Sequence, residues 1–335
     1  MQTPAILFTA PRTATLADIA LPEPGPEDLV VRTRMSGVSV GTERWALLGR
    51  RPEMRFPLVP GYLGVGVVER GTAEFATGER VFFTNARLGE PYASHSWMST
   101  HLARAVVSTH CATDWPPYVC RIPEAVDDIS AALTGLAAVA VQGIDMLQVA
   151  APATAVVLGL GVVGQCAAQV LRARGVRVTG ADLDPARVEL ARAHSADAAV
   201  VLAPGPLAPQ FSGVMPPAGY DIVVDTTSAA SVLQQLDEVL RPRGQILLQG
   251  YYPGLTPLNL DRLHGKRPTL VVACSLDRKA HEYAQELLVR GQLKLRPLVT
   301  RIARPEQAPE VYTQILERPG EFLGIVFDWR DTGRT

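Results

Sequence analysis

The sequence predicts an α/β protein of two domains, a doubly wound parallel sheet set into a mostly β domain. Three observations predict it. Residues 150–294 alternate strand-like apolar runs with helix-like stretches, the order of a parallel sheet with helical crossovers. Residues 1–125 and 295–335 carry short strand-like runs punctuated by Gly and Pro. At 335 residues the chain is long for a single core. The expected domains are therefore residues 1–125 with 295–335, and residues 126–294.

Taken in order, Ile6–Phe8, Leu29–Arg34, Leu63–Glu69 and Val81–Thr84 read as strands. Pro22, Pro24, Gly25 and Pro26, then Pro57, Pro60 and Gly61, then Thr77–Glu79 supply the turns between them. Residues 85–121 hold His95, His101, His110, Cys111 and Cys120 and show no clear period. Ser130–Leu147 reads as one small-residue apolar helix, capped by Asp128 or Ser130. Pro185–His194, Ala229–Leu240 and His281–Arg290 read as further helices. Tyr220–Asp225, Gln245–Gln249 and Thr269–Ala273 read as strands. The last segment adds Val299–Ile302, a helix around Ala308–Leu316 and a closing strand, Gly324–Asp328.

The stretch Thr154–Asp182 carries the strongest chemical signal. Ala155–Leu158 is a Val-rich run of strand length, and Gly159, Gly161 and Gly164 follow it in the spacing G-x-G-x-x-G. Gln165–Arg174 is a helix that Gly175 stops, and a second strand from Val176 ends at Asp182. In this order Gly159 permits a tight turn, Gly161 lets backbone approach a pyrophosphate, and Gly164 lets helix and strand pack closely. The amides of the helix start, at Val162 and Val163, then face the phosphates. Asp182 stands where a carboxylate accepts from the adenosine ribose hydroxyls and repels an added phosphate, so NAD(H) is expected over NADP(H). Arg187 offers a cation that softens this choice. Thr226, Thr227, Gly250 and Tyr251 follow two strands at their carboxyl ends, where such sheets bind ligands, and are expected to line the nicotinamide half. The plainer alternative is a glycine-rich turn in an α/β domain that binds nothing.

Composition excludes several classes. Lys and Arg number 32 and Asp and Glu 33, with no long run of either sign, so nothing points to nucleic acid or a membrane surface. No apolar run approaches the roughly 18 residues of a membrane span. The stretch MQTPAILFTAPRT lacks the pattern of a signal peptide. Four scattered cysteines do not make a disulfide framework, which suggests a reducing, cytoplasmic setting.

The order of motifs resembles the medium-chain dehydrogenase/reductase superfamily. The residues that carry the resemblance are Ser36-Gly37-Val38, Val59-Pro60-Gly61 with Gly64 and Gly66, and Gly78-Glu79-Arg80-Val81. Leu136-Ala137-Ala138, Gly159 to Gly164 and Gly244 to Gly250 complete the set. The resemblance implies a GroES-like β domain for substrate, a Rossmann domain for NAD(P), and an active cleft between them. Ser36 to Glu43, Pro60-Gly61-Tyr62 and Gly250-Tyr251-Tyr252 look most like a narrower, zinc-lacking branch.

Zinc-using relatives place a Cys where this chain has Ser39 or Val40, a His-Glu pair at Tyr62-Leu63, and a third ligand near Leu133-Thr134. Val and Leu cannot ligate zinc, and Ser and Tyr are poor ligands for it. The thiolates of the superfamily's second, structural zinc are also missing. His95, His101, His110 and Cys111 match no standard zinc spacing; surface or core histidines are the plainer reading. No metal is therefore expected. The resemblance puts Ser39, Thr42 and Tyr62 on loops facing the cleft, with Glu43 or His95 as proton acceptors. Alternatively, Tyr62 fills the volume a metal would take, and Glu43 caps or pairs locally.

The expectation is a zinc-independent NAD(H)-dependent oxidoreductase acting on a secondary alcohol or carbonyl of a small-to-medium organic substrate. A C=C or C=N reductase of a biosynthetic pathway is the first rival, and a non-catalytic cofactor-binding protein the second. The resemblance further implies a homodimer paired through Thr269–Ala273.

Overall fold

A computed structural model describes residues 1–92, 98–109, 117–252, 254–273 and 275–330. The chain divides into two compact units. The first comprises Met1–Gly135, Asp277–Gln285 and Leu295–Thr335, and the second Leu136–Leu276 with Glu286–Lys294. Residues 126–135 and Asp277–Gln285 thus group with the first unit.

The chain begins with β1 (Gln2–Ala10) and β2 (Thr13–Ala20), an antiparallel pair. Then come β3 (Asp28–Val38), α1 (Val40–Leu47), β4 (Leu63–Arg70), β5 (Arg80–Phe83), β6 (Arg104–Ser108) and β7 (Val119–Arg121). Gly64 and Gly66 of β4 let neighbouring strands close in. A Cβ on Gly64 would lie 2.4 Å from the Phe83 ring, and one on Gly66 2.4 Å from the Arg32 carbonyl.

The helix expected over Ser130–Leu147 is two helices, α2 (Asp128–Ala131) and α3 (Thr134–Asp145). The carbonyl of Ala132 between them presses on β3, where a Cβ on Gly37 would lie 2.2 Å from it. The cap is also one residue earlier than expected. Asp127 accepts from the amides of Ile129 and Ser130, while Asp128 turns to Arg34 and Arg80.

The second unit runs β8 (Ala153–Leu158), α4 (Val162–Ala173), β9 (Val176–Asp182), α5 (Pro185–His194), β10 (Ala198–Val201) and β11 (Tyr220–Asp225). The helix expected over Ala229–Leu240 is also broken, into α6 (Ala230–Leu233) and α7 (Leu236–Val239). Gln235 at the break sends its side chain to the Leu207 amide and the Ser231 carbonyl. β12 (Leu240–Leu248), α8 (Leu260–Lys266), β13 (Thr269–Val272) and α9 (Arg278–Val289) follow. The chain closes with β14 (Val299–Ala303), α10 (Ala308–Glu317) and β15 (Gly324–Asp328).

Six strands form the parallel sheet of the second unit, in the order β10-β9-β8-β11-β12-β13. Its central strands are buried Val, Ile and Leu runs, as a sheet covered on both faces requires. The order reverses between β8 and β11, so the loops after these two strands flank the switch point where open α/β sheets bind ligands. In the first unit β14, β15, β3, β4, β5 and β7 form one sheet in that order, with β6 also on β3. β15 runs antiparallel to β3, with Val326 opposite Gly37.

Candidate active site

The glycine loop joins β8 to α4. Gly159 takes φ +87, open to Gly at little cost, and its amide donates to the Ala181 carbonyl at 2.8 Å. A Cβ on Gly164 would stand 1.9 Å from the Gly159 carbonyl, so the helix can pack this closely only with Gly there. Gly161 differs. It is the N-cap of α4, and a Cβ on it would meet nothing within 4 Å. The protein's own packing therefore gives no reason for Gly161, and the space above it suits a group brought from outside. The first-turn amides of α4, at Val162, Val163 and Gly164, have no intrahelical acceptor. Together they fit a pyrophosphate. The Thr226 hydroxyl braces the loop, 2.9 Å from the Gly159 carbonyl and 3.2 Å from that of Leu158.

Asp182 closes onto the same loop. Its Oδ2 accepts from the Leu160 amide at 2.6 Å and its Oδ1 from the Asp184 amide at 2.9 Å. Arg187 lies between two acids, 3.9 Å from Asp182 and 3.6 Å from Asp184. Asp184 also caps α5 through the Ala186 amide.

Across the switch point, Asp225 is fully buried at the end of β11. Thr227 donates to its Oδ1 from both amide and hydroxyl, and the Tyr252 hydroxyl donates to its Oδ2. Burial raises the Asp225 carboxyl above the ordinary Asp value, against these hydrogen bonds. Burial, then the Asp225 charge, pushes the Tyr252 phenol far up, so it remains a donor. Gly250 packs against Ser228, whose amide a Cβ would meet at 2.8 Å. Tyr251 is half-buried beside it. Thr226 and Thr227 thus use their hydroxyls to fix these loops.

In the first unit, Tyr62 lies just before β4 and Ser39 is the N-cap of α1. The Tyr62 hydroxyl donates to Ser39 Oγ at 2.9 Å, and each residue is 7% exposed. The structure therefore brings together two of the residues that the resemblance sets at zinc-ligand positions. Thr42 is half-buried on the first turn of α1. Glu43 is fully buried, with its oxygens taken by the Ser39 amide, His101 and Tyr312. That leaves Glu43 no face toward a substrate. His95, His110 and Cys111 lie outside the described residues.

These residues do not fit a zinc. Tyr62 and Ser39 bond to each other, Leu133 is buried and apolar, and the Thr134 hydroxyl turns to the Ser130 carbonyl at 3.3 Å. Among the described residues no group of three or more His, Cys, Asp or Glu is placed to hold a metal.

Ser36, Tyr312 and Trp329, joined to Glu43, were not singled out as site residues from the sequence, and His101 was weighed there only as a candidate metal ligand; Asp225 and Tyr252 were not singled out either. Ser36 lies on β3, Tyr312 on α10, and His101 and Trp329 in the segments before β6 and after β15, so no local pattern links the four. Asp225 carried a signal, an acid ending a buried strand directly before Thr226.

Residues 162–290 match the family described as zinc-binding dehydrogenase. The chain is 27% identical to the 2-desacetyl-2-hydroxyethyl bacteriochlorophyllide A dehydrogenase of Rhodobacter capsulatus, over 99% of each chain. Among solved structures, a zinc-binding dehydrogenase from Sinorhizobium meliloti bound to NADP superposes with a TM-score of 0.83, at 19% identity, over 98% of this chain and 99% of that one. The Escherichia coli protein rspB, described as a short chain alcohol dehydrogenase and complexed with NADH, superposes at 0.82, with 20% identity and the same coverage.

The dehydrogenase relatives support an oxidoreductase. Over residues 162–290 the chain is similar to the zinc-binding dehydrogenases, and its whole fold is that of the solved dehydrogenases it superposes on.

Proposed function

We propose that the chain interconverts a secondary alcohol and a carbonyl on a small-to-medium organic substrate, with NAD(H) and without zinc. The observation that carries this reading is the Tyr62–Ser39 hydrogen bond at the site where relatives place metal ligands. A nicotinamide dinucleotide held by the glycine loop supplies the hydride donor or acceptor. The chain's own side chains supply orientation and the proton. Tyr62 donates to Ser39 Oγ, and the Ser39 hydroxyl proton has no acceptor among the described residues. That proton is free to point at a substrate oxygen. In carbonyl reduction the substrate oxygen takes the Ser39 proton, Ser39 takes the Tyr62 proton, and the Tyr62 phenolate regains one from solvent; oxidation runs the transfers in reverse and releases a proton to solvent. Preorganised hydrogen bonds in a nearly dry site replace the polarisation a dication would give.

The Rhodobacter capsulatus relative is named for a hydroxyethyl compound, which is an alcohol, and this supports alcohol–carbonyl chemistry over reduction of C=C or C=N. The Asp182 carboxylate supports NAD(H), and the buried thiols of Cys120 and Cys166 suit the cytoplasm. Among the described residues no helix is long and apolar enough to cross a membrane. The edge strand β13, with Leu270 and Val272 exposed, supports a homodimer paired strand to strand.

The test is a panel of ketones, secondary alcohols, enones and imines with NADH or NAD, before and after exhaustive chelation. Turnover of a ketone–alcohol pair that survives chelation, with well under one zinc per chain by elemental analysis, is expected. Turnover confined to enones or imines, or abolished by chelation and restored by zinc, overturns the reading.

A further inference from the structure

Five buried side chains of the first unit form one connected polar network that the proposed reaction does not use directly. Trp329 Nε1 donates to Ser36 Oγ at 2.8 Å, and Ser36 Oγ lies 2.7 Å from His101 Nδ1. His101 Nε2 lies 3.1 Å from Glu43 Oε2, and the Tyr312 hydroxyl donates to that same oxygen. Glu43 Oε1 accepts from the Ser39 amide at 2.8 Å. Ser36, Glu43, His101 and Tyr312 are fully buried, and Trp329 nearly so.

The donors fix the direction of the chain. An indole N–H only donates. Ser36 accepts it, and because the Glu43 carboxylate only accepts, a neutral His101 turns Nε2–H to Glu43 and accepts from the Ser36 hydroxyl at Nδ1. The Tyr312 phenol is raised well above its ordinary value, first by burial and then by the Glu43 charge, so it too remains a donor. Glu43 receives three hydrogen bonds, the kind of pairing a buried carboxylate requires. Packed apolar side chains often serve stability as well as such a group does. The network's effect on geometry is therefore the better account of its presence.

That geometry concerns Ser39 and Tyr62. A Ser at an N-cap ordinarily spends its hydroxyl on the first-turn amides. Ser39 makes no such bond, and its hydroxyl accepts from Tyr62, while Glu43 holds the Ser39 amide. His101 reaches the other loop too. Its amide donates to the Pro60 carbonyl at 3.2 Å, beside bonds from Ser99 to the Gly61 carbonyl and from Leu63 to the Thr100 hydroxyl. A Cβ on Gly61 would stand 2.7 Å from His101 Nε2, so the loop bearing Tyr62 lies directly on the imidazole.

We infer that His101 and Glu43 are positioning residues that set Ser39 and Tyr62 against one another. The inference rests on the reading that this pair meets the substrate oxygen, so one readout is chosen that needs no substrate. In protein labelled with ring-13Cζ tyrosine, the Tyr62 resonance is identified by its loss in Tyr62→Phe. It should move in Ser39→Ala, which removes its acceptor, and likewise in His101→Leu. His101→Gln, whose amide can still donate to Glu43, should restore it toward the wild-type position. A Tyr62 resonance unmoved in folded His101→Leu overturns the inference. Should that variant not fold, Glu43→Gln takes its place, with movement expected and an unmoved resonance overturning.

The second readout is ketone reduction with NADH. His101→Leu should lower kcat about tenfold, the scale of a small misplacement, with NADH affinity unchanged. It should cost nothing further in a Tyr62→Phe background, because the two act through one bond. Multiplicative losses in the double variant overturn the positioning role. Unchanged turnover in Tyr62→Phe alone overturns the proposed proton path instead, and the resonance shift then decides whether His101 still orders the pair.

Discussion

The Leu160 amide donates to Oδ2 of Asp182 across 2.6 Å, so the glycine loop is tied to the acid that ends β9. Asp182 therefore has two duties to separate. NAD(H) should bind at least tenfold more tightly than NADP(H), about 1.4 kcal/mol. Asp182→Asn keeps an acceptor for Leu160 while losing the charge, and should erode the preference with little loss in NADH affinity. Asp182→Ala should weaken both cofactors as the loop loosens. Dissociation constants from nucleotide fluorescence check this, and a wild-type preference for NADP(H) contradicts it.

The glycines of the loop should respond in opposite ways. Gly164→Ala forces a Cβ to within 1.9 Å of the Gly159 carbonyl and should destabilise the fold by about 3 kcal/mol. Gly161→Ala meets open space and should leave the thermal midpoint in place while weakening NADH binding. A Gly161→Ala protein that binds NADH as well as the wild type would remove the pyrophosphate from that position.

Tyr62→Phe keeps the ring and deletes the proton donated to Ser39. Turnover should fall by about 10²-fold, the usual scale for one general acid, and Ser39→Ala should fall comparably. Unchanged kcat and KM in Tyr62→Phe would reduce the residue to packing and pass its role to Thr42 or Ser39.

His281 gives a prediction about acid stability. It is fully buried, 4.1 Å from the Phe82 ring centroid and 3.5 Å from the Tyr118 hydroxyl, and burial lowers its pKa to about 3. Unfolded, it titrates near the ordinary value of about 6.5. Between these values the unfolded chain binds a proton that the folded chain refuses, so stability is full above about pH 6.5 and is lost as pH falls toward 3. The loss between pH 7 and pH 5 should be about 2 kcal/mol. Asp225, whose carboxyl is raised, works in the opposite sense and loses its contribution as pH rises. His281→Asn should flatten the acid limb of urea-unfolding midpoints; an equally steep limb would assign the slope elsewhere.

The exposed edge of β13 should carry self-association. Val272→Lys places a charge on that edge and should shift the protein from dimer to monomer in light scattering without unfolding it. A monomeric wild type would rule out the strand pairing.

The fold class was legible because its signals are local. Asp184-Pro185 starts α5, Gly175 separates α4 from β9, and Tyr220–Asp225 is an unbroken buried run, and these elements fall where the sequence puts them. β10 is four residues long and β2 mixes Thr, Ala and Asp with few large apolar residues, so neither stood out. The breaks near Ala132 and Gln235 interrupt helical periods that continue in sequence, because contacts with β3 and with Leu207 override them. At the site, Tyr62 and Ser39 were visible through motif positions. The partners that hold them were not, since Ser36, His101, Tyr312 and Trp329 meet only once distant strands are paired.

The pairing of β15 with β3 has a consequence for biosynthesis. Gly37 leaves the ribosome long before Val326, its partner across the sheet, and all the strands of the six-stranded sheet are made in between. Until residues 324–328 emerge, β3 from Met35 to Val38 presents an unpaired flank, the kind of surface that recruits chaperones or sister chains. The parallel sheet, drawn from one continuous stretch, has no such wait. A nascent chain halted shortly before residue 324 would therefore hold a finished nucleotide-type sheet beside an open edge, and its tendency to aggregate would end with the arrival of five residues.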